Sequence, residues 1–376
     1  MDIHSVIGLG FGDEGKGVVV DYLCSQYDIP SDVCVIRHSG GHQVGHTVKL
    51  GDITHTFHHF CAGTLRGAMS VWGKGVTLSP IHFRHERDVL LMKKLPVTPS
   101  FGTYDNNPIT TVYDIAFDRV TNKGNTVGVG YMQTIVRNEL ISFILSDLEF
   151  PTIRKMKLRN IYNYYFSKCK ELNLVDRFME EVATLELDRF SFEEDCDYLY
   201  QNSIQFSSDQ IPYGHLIFEG NQGVLLDREH GFYPYVTYGK TTNHGLLAHL
   251  KDEVRNSVTK WYCLRAYLTR HGAGPLPGEQ ELNLVNNENE TNITNLYQGQ
   301  LRTAPLSMEL FNYALNKDRQ DFSYRGANRF VISCLDQVEN PEQVIKTIQK
   351  EIYAKLFVNT SPESKTIKEW VNGTGF

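Results

Sequence analysis

The sequence lacks several features that would assign its 376 residues to a specialised class of protein. Its seven cysteines include no C-x-x-C pair and their number is odd, which argues against a disulfide framework and a structural zinc site. No stretch approaches the roughly 20 apolar residues that cross a bilayer, and the first residues do not resemble a secretory signal. We therefore expect reduced thiols, a cytoplasmic protein and no membrane partner.

Charge of one sign is not concentrated anywhere along the chain. Lys and Arg number 37 against 44 Asp and Glu, the net charge is −7, and no basic block stands out. This argues against nucleic acid as a partner. Binding of small anionic nucleotides stays possible, because a few lysines and backbone amides suffice for it.

Glycine is absent from residues 150–212, where apolar residues recur at helical spacing among charged ones. This pattern predicts a mostly helical subdomain around 150–212. Elsewhere, apolar runs at 3–10, 32–39 and 215–220 lead into glycine-containing loops, which is typical of strand–loop–helix units. We predict one α/β domain over 1–376, with a mostly parallel central sheet, helices on both faces and a helical insertion.

Four further segments have clear patterns. WYCLRAYLTR at 261–270 is predicted to be one long strand, and RFVISCLD at 329–336 a late core strand. Residues 341–356 are predicted to form a helix. Residues 282–300 are rich in asparagine and predict an exposed, mobile loop.

The segment IGLGFGDEGKGVVVD at 7–21 matches the phosphate-loop pattern Gly-x-x-x-x-Gly-Lys, which ends at Lys16. Its glycines let backbone amides converge on an anion at a helix N-terminus. Gly17 replaces the hydroxyl residue that normally holds magnesium, and Asp13 is near enough to serve instead. A carboxylate here can also take a proton from a substrate. The alternative is a tight turn with a solvated acidic pair, Asp13 and Glu14.

Three histidines recur in RHSGGHQVGHT at 37–47. His38, His42 and His46 are four residues apart, a spacing that would form a metal-binding face on a helix. The intervening glycines argue against a helix and favour a loop that presents one histidine. His46 can then donate a proton or a hydrogen bond to a substrate oxygen. A purely structural role for each histidine stays open.

Polar side chains also follow glycines near later strand ends. The stretch 218–242 carries Glu219, Gln222 and Thr237, and such amides and hydroxyls can bind a base edge or a phosphate. Asp336 lies just beyond a predicted core strand and can accept hydrogen bonds from a guanine edge. All of these residues also suit ordinary turns.

Taken together, these stretches resemble the adenylosuccinate synthetase family. The matching segments, in chain order, are GDEGKG (12–17), SGGHQVGHT (39–47), GKGVTLSP (73–80), FEGNQGVLLDREHGFYPYVT (218–237), TTNHG (241–245) and TRHGAGPLPGE (269–279). The resemblance implies a phosphate-loop fold of the GTP-binding type, a homodimer, and Mg²⁺ with GTP as phosphoryl donor.

The resemblance also implies a ligase reaction in two steps. The residue matching Asp13 removes the N1 proton of inosine monophosphate (IMP), and the 6-oxygen attacks the γ-phosphate of GTP with help from the residue matching His46. The amine of aspartate then displaces the phosphoryl group. The resemblance further implies that the triphosphate contacts Gly12, Gly15, Lys16 and Gly17, and that the purine nucleotide contacts Thr126, Arg137, Gln222 and Thr237. It implies that the amino acid contacts Arg302 and Thr303, and that guanine contacts Asp336. Asp13 and the carbonyl of Gly45 are the implied ligands of Mg²⁺.

Departures from the family pattern leave the substrates open. The family's Thr-Thr-x-Gly-Arg-Arg-Arg-Arg-Thr-Gly loop aligns with 295–305, where only Arg302 and Thr303 match, so aspartate or another amine is the second substrate. Its guanine-reading Lys-x-Asp is CLD at 334–336, and its Gly-Pro-x-x-Arg segment has no match, so the donor is GTP or ATP. The family also has a Gly-Arg-Gly-Ile-Gly-Pro stretch followed by an arginine. In this chain Arg137 is the predicted substitute for that arginine.

Other functions remain in view. A compact phage branch of the family acts on dGMP and forms 2-amino-deoxyadenylosuccinate. That branch often replaces the acid equivalent to Asp13, so its presence here favours a 6-oxopurine without a 2-amino group, such as IMP. A non-catalytic nucleotide-binding protein and a metal-binding module are the alternatives of a different class.

Overall fold

A wide, mostly parallel β-sheet forms the centre of the structure, a computed structural model that describes residues 1–95, 98–122, 126–186, 190–206, 214–285 and 299–371. The strands are β1 (Asp2–Gly8), β2 (Val33–Arg37), β3 (His46–Leu50), β4 (Ile53–Phe57), β5 (Met69–Trp72), β6 (Phe101–Tyr104), β7 (Ile204–Phe206), β8 (His215–Gly223), β9 (Thr259–Arg265), β10 (Tyr267–His271), β11 (Leu301–Pro305), β12 (Asn328–Ser333), β13 (Lys355–Val358) and β14 (Lys368–Glu369).

Within the described residues, ten strands make up the central sheet, in the order β14-β13-β12-β9-β1-β8-β2-β5-β6-β7. All neighbours in it pair in parallel except β13 and β14, which are antiparallel. Two antiparallel pairs, β3–β4 and β10–β11, lie outside it. The strand that leads into the phosphate loop, β1, therefore lies in the interior of the sheet, between β8 and β9.

Successive side chains of the central strands pack into apolar cores on opposite faces of the sheet. Because both faces are buried, the sequences of these strands are nearly all apolar. In β2, Val33 and Val35 belong to one core while Cys34 and Ile36 belong to another on the opposite face. The same alternation occurs in β8, β9, β12 and β13. Each fully buried side chain of this size contributes about 1.5–3 kcal/mol, so both faces need to be covered by other elements.

Helices provide that cover on both faces. They are α1 (Lys16–Cys24), α2 (Pro80–Met92), α3 (Val112–Thr121), α4 (Tyr131–Asn138), α5 (Pro151–Glu171), α6 (Val175–Glu186), α7 (Phe192–Gln201), α8 (Asp252–Arg255), α9 (Met308–Asp321) and α10 (Pro341–Gln349). The core on one face includes α1–α3 and α5–α7, and that on the other includes α9 and α10. The predicted α/β class with helices on both faces is confirmed.

The glycine-free region contains three helices, α5, α6 and α7, and a short strand. The helices pack on α2 and α3 and share their apolar core. The strand β7 at 204–206 adds an edge to the central sheet beside β6. A separate helical subdomain around 150–212 stays a prediction, and residues 207–213 lie outside the described residues. No helix in the described part of the chain combines the length and apolarity needed to cross a membrane.

Two predicted elements differ from the structure. The single strand predicted at 261–270 is broken at Ala266, whose amide donates to the carbonyl of Ser333 in β12. The following residues leave the sheet as β10 and pair with β11. The helix predicted over 341–356 ends at Gln349, because the next apolar run pairs with β12 as β13. Of the loop predicted at 282–300, residues 286–298 lie outside the described residues.

Candidate active site

The phosphate loop joins the carboxyl end of β1 to the first residue of α1. Gly15, the N-cap of α1, has a left-handed φ of 79°. Gly12 and Asp13 also have positive φ values, 100° and 63°. This region is sterically unfavourable for a side chain such as that of Asp13. In the described chain no side chain caps α1, so its first amides suit an anionic ligand.

Glu14 is buried inside this loop and is not a solvated charge. Its Oε1 accepts hydrogen bonds from the amides of Gly10 (2.9 Å) and Gly12 (2.8 Å), and its Oε2 lies 2.6 Å from the ammonium of Lys16. A Cβ atom on Gly8 would lie 2.1 Å from Oε2, so glycine there makes room for the carboxylate. Glu14 therefore serves as an internal counter-ion for Lys16.

Asp13 projects from the same loop with a quarter of its side chain exposed (25%). Its Oδ2 lies 3.2 Å from Nε2 of His271, and its carbonyl accepts from Arg265 at 3.4 Å. Burial acts to raise the pKa of Asp13, but the hydrogen bond to His271 and the positive charges of Arg265 and Lys16 outweigh it, so the pKa is lowered. Asp13 is thus a carboxylate at neutral pH and can accept a proton or bind a cation.

Gly17 and His46 lie against each other. A Cβ atom on Gly17 would lie only 2.9 Å from Cβ of His46, so any larger residue at position 17 would displace the histidine. The structure therefore explains why the usual hydroxyl residue is missing. It also brings His46, the first residue of β3, beside the start of α1 and next to Lys16, which influences the pKa of the imidazole.

Glu219 in β8 lies fully buried between His46 and Arg37. Its Oε1 accepts from Nδ1 of His46 (2.8 Å) and its Oε2 from Arg37 (3.1 Å). Burial acts to raise the pKa of Glu219, but His46 and Arg37 outweigh it and lower the pKa to about 2. Burial lowers the pKa of His46, against the effect of Glu219. Because Nδ1 binds Glu219, Nε2, which has no partner among the described residues, is left for a ligand.

The glycine-rich loop 39–45 packs on the end of β8. Nδ2 of Asn221 donates to the carbonyl of Ser39 at 2.6 Å. A Cβ atom on Gly40 would lie 2.4 Å from this Nδ2, so the contact requires glycine. The two segments that carry His46 and Gln222 are therefore held together at one edge of the sheet.

Several buried polar atoms of these segments lack hydrogen-bond partners among the described residues. They are Oε1 of Gln222, both amide atoms of Gln43 and the hydroxyl of Thr77. Since buried polar atoms are nearly always hydrogen-bonded, these atoms are available to a polar ligand or to water. Thr237, also predicted to contact the purine, is half-buried, and its amide donates to the carbonyl of Leu226 at 2.7 Å.

The histidine pattern does not form a metal site in the described chain. Residues 38–45 are not helical, and His42 packs on His59 and His82 with ring centroids 5.4 and 4.6 Å apart. Burial lowers the pKa of His42 to about 3. Among the described residues, no group of three or more His, Cys, Asp or Glu side chains is arranged to hold a metal ion. The metal-binding alternative therefore has no geometric support there.

Arg137 is engaged within its own chain, and its contact with the purine nucleotide stays a prediction. The side chain is fully buried in α4. Its guanidinium donates to both carboxylate oxygens of Asp114 (3.1 and 2.9 Å), to Asn138 (3.2 Å), and to the carbonyls of Ile109 (2.7 Å) and Ile141 (3.1 Å). With its donors so used, Arg137 holds helices together.

Thr126 is also bound within its own segment. Its hydroxyl donates to Asp118 at 2.6 Å and accepts from the amide of Gly128 at 3.1 Å. Asp118 also accepts from the amide of Gly130 at 3.1 Å, which ties the loop before α4 to α3. A contact between Thr126 and a nucleotide phosphate stays a prediction, and it requires the hydroxyl to exchange Asp118 for the ligand.

Arg302 and Thr303 lie on β11, beside the loop that follows β10. Arg302 binds both carboxylate oxygens of Glu279, one at 2.8 Å, and donates to the carbonyls of Gly272 (2.7 Å) and Gly274 (2.9 Å). The hydroxyl of Thr303 donates to the carbonyl of Gln280 at 2.7 Å. The guanidinium that was predicted to bind the amino-acid substrate thus holds a carboxylate of its own chain.

The predicted guanine-binding residue, Asp336, lies in a short 3₁₀ turn, Leu335–Gln337, directly after β12. It is partly exposed. Ser333, at the end of β12, donates to the carbonyl of Glu14 at 3.1 Å, which connects this strand end to the phosphate loop. Contact of Asp336 with a base stays a prediction.

The donor set around Asp13 fits Mg²⁺. This ion is usually bound through one or two carboxylates together with substrate phosphates and water. Asp13 supplies one partly exposed carboxylate beside Lys16, and Gly45 directly precedes His46, which packs on the start of α1. Coordination by Asp13 and the carbonyl of Gly45 stays a prediction.

Sequence reasoning missed the roles of three residues here. Glu14 lies in the loop after the apolar strand β1, and Glu219 lies within the apolar strand β8. Both are buried counter-ions, and burial of either acid without a partner would be costly. An acidic residue in or next to an apolar strand was therefore the sequence feature that could have indicated a buried, paired carboxylate at both positions. The contact of His271 with Asp13 had no such signal, because the two residues are distant in sequence.

Comparison with known proteins agrees with this architecture. A family model described as adenylosuccinate synthetase matches residues 5–301. Curated adenylosuccinate synthetases of Thermoplasma volcanium and Xylella fastidiosa are 31% and 30% identical over 73% of the chain. The chain spans less than two thirds of the length of these relatives, 63% and 64%.

Solved structures show the same fold. Fully ligated adenylosuccinate synthetase from Plasmodium falciparum superimposes with a TM-score of 0.69 at 17% identity, covering 99% of this chain and 100% of that one. Cyanophage S-2L succinoaminodeoxyadenylate synthetase, bound to dGMP and to dATP as energy donor, has a TM-score of 0.66 at 14% identity over 98% and 95% of the chains. The family model covers most of this chain, which therefore belongs, as a divergent member, to the adenylosuccinate synthetase family.

Proposed function

We propose that this protein is a ligase that activates the 6-oxygen of a purine nucleotide with a nucleoside triphosphate and then joins an amino acid to carbon 6. One observation carries the proposal: a carboxylate, Asp13, projects from the same glycine-rich loop as Lys16. A plain phosphate-binding loop has no need of a base, whereas phosphorylation of an amide-like oxygen does.

The residues divide the work as follows. Lys16 and the amides of Gly12, Gly15 and Gly17 bind triphosphate. Lys16 and the amide of Gly12 exchange Glu14 for phosphate oxygens when the triphosphate binds. Asp13 removes the proton from N1, and negative charge develops on the 6-oxygen. Burial keeps the ligand-free imidazole of His46 neutral, with the Nδ1 proton donated to Glu219. The negative charge of the bound triphosphate favours protonation of Nε2, and the imidazolium then donates through Nε2 to the 6-oxygen. Mg²⁺, when bound at Asp13 and Gly45, supplies neutralisation of the phosphate charges.

The purine nucleotide is proposed to be IMP or a close relative, in contact with Gln222 and Thr237. Oε1 of Gln222 is buried and has no hydrogen-bond partner among the described residues. This supports the proposal, because an amide can bind the edge of the ring. Aspartate is the proposed amine donor, with Arg302 and Thr303 as its binding residues. Because Arg302 holds Glu279 in the described structure, substrate carboxylates must compete with that acid. Small molecules are the proposed partners, and a cytoplasmic homodimer is part of the proposal.

A second candidate is the same chemistry on dGMP with an adenine donor. The cyanophage enzyme of similar fold was solved with dGMP and dATP. In this chain Cys334 replaces the lysine of the guanine-reading motif, which favours a donor other than GTP. GTP and ATP are therefore both to be tested as donors.

A substrate panel tests the proposal. Purified protein with Mg²⁺ is incubated with IMP, GMP or dGMP, with aspartate or other amino acids, and with GTP, ATP or dATP. Formation of the nucleotide–amino acid product is followed by absorbance and chromatography, and Asp13→Asn is the matched inactive control. We expect product from one purine nucleotide with the wild type and none with the variant. Triphosphate binding without product in any combination would instead support a non-catalytic nucleotide-binding protein.

A further inference from the structure

One histidine outside the matched catalytic positions contacts the proposed base. Nε2 of His271 lies 3.2 Å from Oδ2 of Asp13, and the two side chains are 14% and 25% exposed. No role for His271 follows from the motifs considered above, although it belongs to the segment TRHGAGPLPGE. The contact joins the end of β10 to the phosphate loop across the edge of the sheet.

The imidazole is presented by a strand end that is fixed on several sides. His271 pairs with Leu301 at the end of the β10–β11 ribbon. The preceding residue, Arg270, is buried and donates to the carbonyls of Ala273 (3.2 Å), Pro275 (2.9 Å) and Tyr235 (2.9 Å). These bonds leave the backbone at 271 little freedom to move.

Asp13 needs such support from outside its loop. Its φ of 63° lies in the left-handed region that few residues with a side chain adopt, so contacts from outside the loop help to hold this conformation. Arg265 from β9 contacts its carbonyl at 3.4 Å, and His271 from β10 contacts its carboxylate. The β9–β10 segment thus holds both the backbone and the side chain of Asp13.

We propose that His271 is a positioning residue that binds Oδ2 of Asp13 and so leaves Oδ1 directed at the purine. This inference rests on the proposed function, in which Asp13 is the base. A carboxylate held at one oxygen presents the other in a narrow range of directions, which is the condition for efficient proton removal from N1. Without His271 the carboxylate rotates, and fewer bound complexes are competent to react.

The expected consequence is a loss of kcat with little change in KM, because the contact through which His271 is proposed to act is with the base Asp13. Supporting residues of this kind typically contribute 10- to 100-fold to activity. His271→Leu removes the hydrogen-bond donor while keeping an apolar side chain of comparable size. His271→Gln keeps a donor close to the position of Nε2 and is expected to restore kcat to within about 3-fold of the wild type.

A matched control is available at the opposite end of the sheet. Nδ1 of His215, the first residue of β8, lies 3.2 Å from Oδ2 of Asp2, a histidine–carboxylate contact at the same distance but more exposed, with exposed fractions of 29% and 59%. His215→Leu removes that contact and is expected to leave kcat and KM unchanged. It shows whether loss of any histidine–carboxylate contact lowers activity through general destabilisation.

The test is a steady-state comparison of wild type, His271→Leu, His271→Gln and His215→Leu on the substrates that the panel identifies. The inference holds if His271→Leu lowers kcat about 10- to 100-fold, KM changes less than 3-fold and glutamine restores kcat. It is overturned if the wild type is active and His271→Leu keeps full kcat, or if leucine and glutamine variants are equally impaired. A wild type inactive in every combination would refute the proposed function itself and is recognised before any variant is made.

Discussion

Close contacts between individual residues explain what is unusual in this phosphate loop. Gly17 stands where a hydroxyl residue is expected because His46 packs against it, with 2.9 Å between Cβ of His46 and a Cβ atom placed on Gly17. Glu14 is compatible with an anion-binding loop because it neutralises Lys16 within the fold, 2.6 Å away. Of the acidic pair, only Asp13 is left for chemistry.

Restoring the usual hydroxyl at position 17 is therefore expected to harm the protein. Gly17→Ser places Cβ against His46 and shifts the imidazole away from the ligand, so we expect kcat to fall by at least about 10-fold. Steady-state kinetics with Mg²⁺ measure this. Gly214→Ala is the control, because its Cβ would be no closer than 3.7 Å to its neighbours. Full activity in Gly17→Ser would show that His46 does not need its observed position.

The buried charge of Glu219 predicts a specific dependence of stability on pH. Its folded pKa, about 2, lies below the ordinary value of 4.5. The resulting stabilisation, on the order of 3 kcal/mol, is fully present above about pH 4.5 and is lost as the pH falls toward 2. Glu219→Gln removes the titrating group. We expect the difference in unfolding free energy between wild type and variant, from denaturant titrations, to shrink as the pH falls from 5. A pH-independent difference would contradict this.

Two helices begin with the same capping arrangement in different surroundings. In α3, Thr111 and Asp114 cap each other, and Asp114 also binds Arg137 and Tyr165 in the core. In α7, Ser191 forms the corresponding cap at the surface. The α3 cap thus belongs to a buried hydrogen-bond network, whereas the α7 cap lies at the surface. We therefore expect the α3 cap to contribute more to the free energy of unfolding than the α7 cap.

Removing the two caps should separate these contributions. Ser191→Ala is expected to reduce the unfolding free energy by about 1 kcal/mol, as for an isolated cap. Thr111→Ala is expected to cost about 2–3 kcal/mol, since it also leaves a buried carboxylate with one partner fewer. Urea unfolding followed by circular dichroism measures both. Equal losses would mean that the network around Asp114 adds nothing to the cap.

The molecule as a whole is united by one continuous apolar core on one face of the sheet. This core runs from Val35 in β2 through α2 and α3 to Phe178 in α6. The helices α5–α7 therefore share their stabilisation with the central sheet, and unfolding of one is expected to accompany unfolding of the other.

Truncation of a buried side chain in the helical region should then lower the stability of the whole molecule. Phe178 is fully buried, and Phe178→Ala is expected to cost about 3–5 kcal/mol. Far-ultraviolet circular dichroism reports the helices. The fluorescence of Trp72, Trp261 and Trp370, which lie in or next to strands of the central sheet, reports the sheet. We expect both transitions to shift together to lower denaturant concentration. If the circular dichroism transition moved alone, the helical region would unfold as a separate unit.

The fold class followed from local patterns. Apolar runs that end at glycines, such as those at 3–10 and 32–39, predict buried parallel strands, because both faces of such strands must be apolar. Asp13 and Lys16 could be predicted as site residues because loop chemistry depends on residues close in the chain. Helix and strand boundaries at 261–270 and 341–356 were wrong, because pairing with distant strands outweighed local preference.

Contacts between residues that are distant in the sequence could not be predicted from local patterns. The pairing of His271 with Asp13 and of Glu219 with His46, and the internal role of Arg137, join residues that are 23 or more positions apart. Local composition therefore suffices for the sheet and for the phosphate loop. A buried charge is stable only beside a group that compensates it. Which group that is depends on which strand ends lie next to each other at the edge of the sheet, and only the tertiary structure decides this.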